Sequence, residues 1–182
     1  MKTLKTIQTL AKIGEVLSCI AFIFACIGFG GSVVGALSAA FGGGFAIKLG
    51  GVTIYDLFGG ARYSELEGVC AALLGWMIVC AGEAVVAKFA ELYFKRELAA
   101  GTPFTLSGAK ELTRLGILTL AMPTGCAVLA AVVSGIAASF LRAGEAMDVH
   151  FDNGASIALG VMFLVAALLC RLGAEQAQVR QA

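Results

Sequence analysis

The stretch Cys80-Ala81-Gly82-Glu83-Ala84-Val85 sets a carboxylate inside an otherwise apolar run from about Val69 to Phe89. A carboxylate in hydrocarbon is costly and tends to face a partner, a water-filled cavity or a proton path. Glu15 lies similarly close to the end of the first apolar run, and antiparallel packing would bring the two to one depth. Two close carboxylates raise the proton affinity of at least one of them, unless Arg114 or Arg171 neutralises the pair. Glu83 and Glu15 are therefore the proton- or ion-linked candidates. The competing reading is that both reach headgroups and water, or pair for structure.

Asp148, His150 and Asp152 alternate along Met147-Asp148-Val149-His150-Phe151-Asp152, so a strand would set all three on one face. Imidazole with two carboxylates suits a divalent transition ion, but this is the chain's one histidine. A solvated strand face is the preferred reading and no metal is expected. Cys19, Cys26, Cys70, Cys80, Cys126 and Cys170 show no Cys-x-x-Cys spacing and sit in or beside apolar runs, where cysteine packs as a small hydrophobe. The glycine-rich stretches lack the Lys-Ser or Lys-Thr ending of a phosphate loop, and no cofactor is expected.

What must position these groups follows from composition. The chain has 182 residues, 59% hydrophobic and 14% charged. One soluble core of that size could not hide so much apolar surface, so the fold expected is an all-α integral membrane protein solvated by lipid. A net charge of +1 with no basic run excludes the electrostatic footprint of a nucleic-acid binder. A span needs about 20 apolar residues. Four runs qualify, at about 13–37, 69–89, 115–141 and 154–172, and together make one membrane domain over 1–182. Lys2, Lys5, Lys12, Lys88, Lys95, Arg96, Lys110, Arg114, Arg171 and Arg180 fall at one set of span ends, against Lys48, Arg62 and Arg142 at the other. Both termini are thus expected to be cytoplasmic. Glu15 leaves too short an apolar run before Cys19 for a cleaved leader.

The connections differ in kind. Outer loop 41–68 carries Ala46-Ile47-Lys48-Leu49 and Val52-Thr53-Ile54-Tyr55 around Gly50-Gly51, which predicts a two-residue hairpin turn, and outer loop 142–153 ends in the turn signal Asn153-Gly154. Together they suggest a small extracytoplasmic β cap. Segment 90–114 reads as a cytoplasmic helical hairpin, with Gly101 to cap one helix, Pro103 to forbid its continuation, and Thr105 or Ser107 to start the next. Trp76 falls within a span, while Tyr55, Tyr63 and Tyr93 suit interfacial anchoring. Gly31, Gly35, Ala39 and Gly43 recur every four residues, a small-residue stripe expected to pack helices within the domain or, failing that, to pair two copies.

The central turn Gly101-Thr102-Pro103-Phe104-Thr105, followed by Leu112, Leu115 and Gly116, resembles the hallmark loop of a bacterial family of four-helix inner-membrane proteins classified as a domain of unknown function. After the Thr, family members often carry an acidic residue and Asn, where this chain has Leu106-Ser107-Gly108. The resemblance implies four spans, the bacterial cytoplasmic membrane and a hint of regulation. It brings no reaction and no site residues.

The spans hold no paired aspartates, no serine beside a base and no His-rich site, so an enzyme is not expected. The expected function is that of a small sensor, regulatory or accessory subunit. Its contacts would be made to the bilayer and to a membrane or cytoplasmic partner, or to further copies of itself, with Tyr93, Arg96 and Phe104 as contact residues. The alternative is an oligomeric proton- or cation-linked transporter or channel using Glu83, with Thr119, Thr124, Ser134 and helices broken near Pro123 supplying the path.

Overall fold

The computed structural model describes residues 2–41, 48–49, 52–53, 66–100, 106–143 and 154–179. Four helices make up nearly all of this: α1 (Lys2–Ala40), α2 (Leu66–Ala100), α3 (Leu106–Leu141) and α4 (Gly154–Val179). Each contains a segment long and apolar enough to cross a membrane, the make-up of a multi-pass membrane protein. Between α1 and α2, β1 (Lys48–Leu49) and β2 (Val52–Thr53) pair antiparallel with Lys48 opposite Thr53, the register expected around Gly50-Gly51. Residues 144–153, where the rest of the β cap was placed, lie outside the described residues.

With 35 and 36 residues, α2 and α3 are each about 50 Å long by helical rise. A hydrocarbon core of about 30 Å uses little more than half of that. The surplus falls where the charges are, since Leu115–Leu141 of α3 carries none and Lys110, Glu111 and Arg114 precede it. The helices therefore continue past the apolar zone, as the sequence suggested. Pro123 lacks an N–H and cannot bond the Thr119 carbonyl, yet α3 runs through it as one helix. The expected break near Pro123 is not there.

The chain forms two compact units whose boundaries cut through helices, one of Met1–Phe22, Ala84–Pro123 and Asp152–Ala182, the other of Ile23–Glu83 and Thr124–Phe151. In the second unit, α1 buries Ala25, Ser32, Gly35, Ala36 and Ala39 while Phe24, Ile27 and Leu37 are exposed. Small residues inside and large ones outside is the order expected where lipid is as good a solvent for leucine as the protein core, so close packing decides which face turns inward. A Cβ on Gly28 would lie 2.9 Å from Cys80 Sγ, and the Cys70 thiol donates to the Ala36 carbonyl at 3.8 Å. Of the expected stripe, Gly35 and Ala39 are buried, Gly31 only half so, and Gly43 lies outside the described residues. Ala39 shares its contact with α2 with Gly28 and Ala36.

In the first unit, Ala90 and Tyr93 of α2, Leu112 and Leu115 of α3, and Ala167 of α4 form one core cluster. Here α3 and α4 approach to backbone contact: a Cβ on Gly116 would lie 3.2 Å from the Gly160 carbonyl oxygen, and one on Gly160 would lie 3.1 Å from that of Gly116.

At its far end α3 closes with Arg142 at a φ of 56°, and the Ala143 N–H donates to the Ala138 carbonyl at 2.9 Å. This is a left-handed helix stop in which arginine occupies the position that usually takes glycine. A side chain there costs about 1 kcal/mol. Arg142→Gly is accordingly expected to raise stability by up to about that amount, read as the unfolding temperature in detergent.

Candidate functional site

The charges on the first unit's part of α2 are arranged on three sides of the helix. Glu91, only 4% exposed, accepts from Lys88 at 3.0 Å and from Lys95, one turn before and one turn after it on the same helix. Lys88 also lies over the Phe22 ring of α1, 5.0 Å from its centroid. Glu15 of α1 is among the charges acting on the Lys95 ammonium. A buried carboxylate held by two ammonium groups, one of them covered by an aromatic face, is a neutralised and fixed element. It joins α1 to α2.

On the side facing α3, Arg96 donates to Glu111 at 2.6 Å. This pair and Arg114 rim a cavity of about 140 Å³ whose wall is Phe89, Leu92, Leu115 and Leu118. On the third side, Tyr93 is 7% exposed and meets Phe94 edge-on at 5.4 Å, while the Phe94 ring closes over Gly14. Glu97, Cys170 and Glu111 surround the Tyr93 hydroxyl, and Glu97 Oε2 is buried with no hydrogen-bond partner among the described residues.

Several expectations are corrected by this arrangement. Tyr93 was expected at a partner surface but is a core residue, because the 90/93/97 side of α2 turns toward α3 and α4. Arg96 is exposed, as a contact residue must be, and Phe104 lies outside the described residues. Glu83 is exposed on α2 in the single chain, as is Trp76 two turns earlier, and lies within electrostatic reach of Cys80 and Cys126. Glu15 lies within electrostatic reach of Lys95, and Arg171 is held by Glu175 at 2.9 Å instead of by either candidate carboxylate. Glu91 was missed, although Lys88 and Lys95 at its i−3 and i+4 positions were a readable signal.

Buried hydroxyls in the spans turn back onto their own helices. Ser32 donates to Gly28 at 2.8 Å, Thr119 to Leu115 at 2.8 Å and Ser134 to Ala131 at 3.2 Å. Thr124, also considered for a path, is exposed. All six cysteines are free thiols. Asp148, His150 and Asp152 lie outside the described residues, and among those described no group of three His, Cys, Asp or Glu side chains could hold a metal.

These features define a membrane-protein class, four long apolar helices with a charged end on α2 and α3. No protein-family model, curated protein or solved structure matches the chain.

Proposed function

We propose that this chain is a non-enzymatic accessory or regulatory subunit of a bacterial cytoplasmic membrane, with both termini cytoplasmic, acting through contact with another membrane component. The observation that carries this reading is the outward placement of Glu83 beside the face of Trp76. A carboxylate on the outer surface of a span is costly in lipid and is relieved by a basic or hydrogen-bonding group from a neighbouring chain. The charged end of α2 and α3 offers a second contact surface through the exposed Arg96, and the regulatory hint of the family resemblance agrees with it.

The transport alternative rests on the same carboxylate and makes the opposite prediction. With the buried hydroxyls of Ser32, Thr119 and Ser134 bonded to backbone of their own helices, proteoliposomes are expected to pass protons and monovalent cations no faster than empty liposomes. A photoreactive residue at Trp76 is expected to give one discrete cross-linked product in native membranes, lost in Glu83→Gln. Flux that disappears in Glu83→Gln would instead assign the chain to transport.

A further inference from the structure

We infer that the groove between the start of α3 and the end of α4 is a binding site for the headgroup of an anionic phospholipid. Its volume is about 510 Å³, within the roughly 300–1,000 Å³ usual for ligand sites. The inference rests on the membrane reading alone and is independent of any protein contact.

The groove's chemistry is ordered along α4, apolar at Ala167 and Leu168 and charged at Arg171 and Glu175. Lys110 and Arg171 supply two cations against the single acid Glu175. Lys110 is exposed and makes no ion pair among the described residues. Arg171 gives only its Nε to Glu175, at 2.9 Å, which leaves the terminal guanidinium nitrogens for another acceptor. The rest of the lining is Leu106, Ala109 and Thr113 of α3 and Ala167 and the exposed Leu168 of α4.

Depth fits the same occupant. Lys110 precedes the uncharged run from Leu115 by five positions, about 7.5 Å of helix, and Arg171 immediately follows the uncharged Gly154–Cys170. The cations thus stand where apolar spans give way to water, with Ala167 and Leu168 of α4 on the hydrocarbon side of Arg171. A phosphodiester with an acyl chain below it has that polarity. A soluble anion would have no use for Leu168, and basic pockets between spanning helices are where anionic headgroups bind.

The test uses the full chain in phosphatidylcholine nanodiscs doped with phosphatidylglycerol, with retained lipid counted by native mass spectrometry after mild detergent release. Phosphatidylglycerol is expected to be retained over phosphatidylcholine. Lys110→Gln and Arg171→Gln are each expected to weaken retention about fivefold, the worth of one cation at a membrane surface. Glu175→Gln should tighten it, because the competing acid is gone. Lys12→Gln, an exposed cation that does not line the groove, should leave it unchanged. Lys110→Gln keeps the test open if Arg171→Gln disturbs the last turns of α4. Equal retention of the two lipids, an effect of Lys12→Gln as large as that of Lys110→Gln, or displacement by soluble glycerol phosphate would each overturn the assignment.

Discussion

Gly160→Leu is expected to separate α4 from α3 and abolish the folded state in detergent, whereas Gly125→Ala should leave stability unchanged or slightly raised. Even the first carbon of a side chain at Gly160 would fall 2.6 Å from Leu120 Cγ and 3.1 Å from the Gly116 carbonyl oxygen. The leucine can rotate away, but the carbonyl belongs to a helix backbone and cannot. Overpacking of this kind costs about 1–3 kcal/mol in well-packed cores, and more when the neighbour is rigid. Replacing a helical glycine by alanine recovers only about 0.5–1 kcal/mol. The clash therefore wins at Gly160, and alanine there should already lower the unfolding temperature by a few degrees. Gly125 has nothing within 4 Å of the added carbon, so only the favourable backbone effect remains. An unchanged unfolding temperature for both Gly160 variants would show that α3 and α4 do not cross at these residues.

The crossing was not visible in the sequence, although the helices were. Apolar runs bounded by charge locate spans because their length is set by the bilayer. The expected runs 13–37, 69–89, 115–141 and 154–172 each fall inside one observed helix. The stop before Gly101 and the start after Thr105 were readable too, since α2 ends at Ala100 and α3 begins at Leu106. Which face of each helix turns inward was harder to read. In water an apolar stripe marks the core, but in lipid both faces are apolar and residue size carries the signal. That is why Gly28 and Ala36 were not counted with Ala39 in the stripe of α1, and why Tyr93 was read as an interfacial anchor. Glu83 was located correctly in a span, but its direction depends on the same unreadable rotation. Two charges at short spacing were easier evidence than any face: Lys88 and Lys95 around Glu91 required only that α2 continue as a helix.

That triad carries the second large effect. Glu91→Leu removes the carboxylate that accepts from both Lys88 and Lys95 and leaves two ammonium groups together, with Lys88 still held over Phe22. Deleting the carboxylate is destabilising because two ammonium groups lose their common partner and repel each other, although both side chains, 47% and 51% exposed, keep much of their water. The fall in unfolding temperature should exceed that of Glu111→Gln, whose carboxylate has one partner instead of two, a side chain 33% exposed, and a pair expected to be worth about 0.2–1 kcal/mol. The sign of the effect then depends on the whole cluster. Replacing a complete buried ion cluster with apolar side chains of similar length is often neutral or stabilising. Glu91→Leu combined with Lys88→Met and Lys95→Met should therefore recover most of what the single change loses. Recovery in the triple variant identifies the loss as electrostatic, since both it and Glu91→Leu lack the same carboxylate. If the triple variant is as unstable as Glu91→Leu, the triad is not the element that joins α1 to α2, and the contact of Phe94 with Gly14 must carry that role.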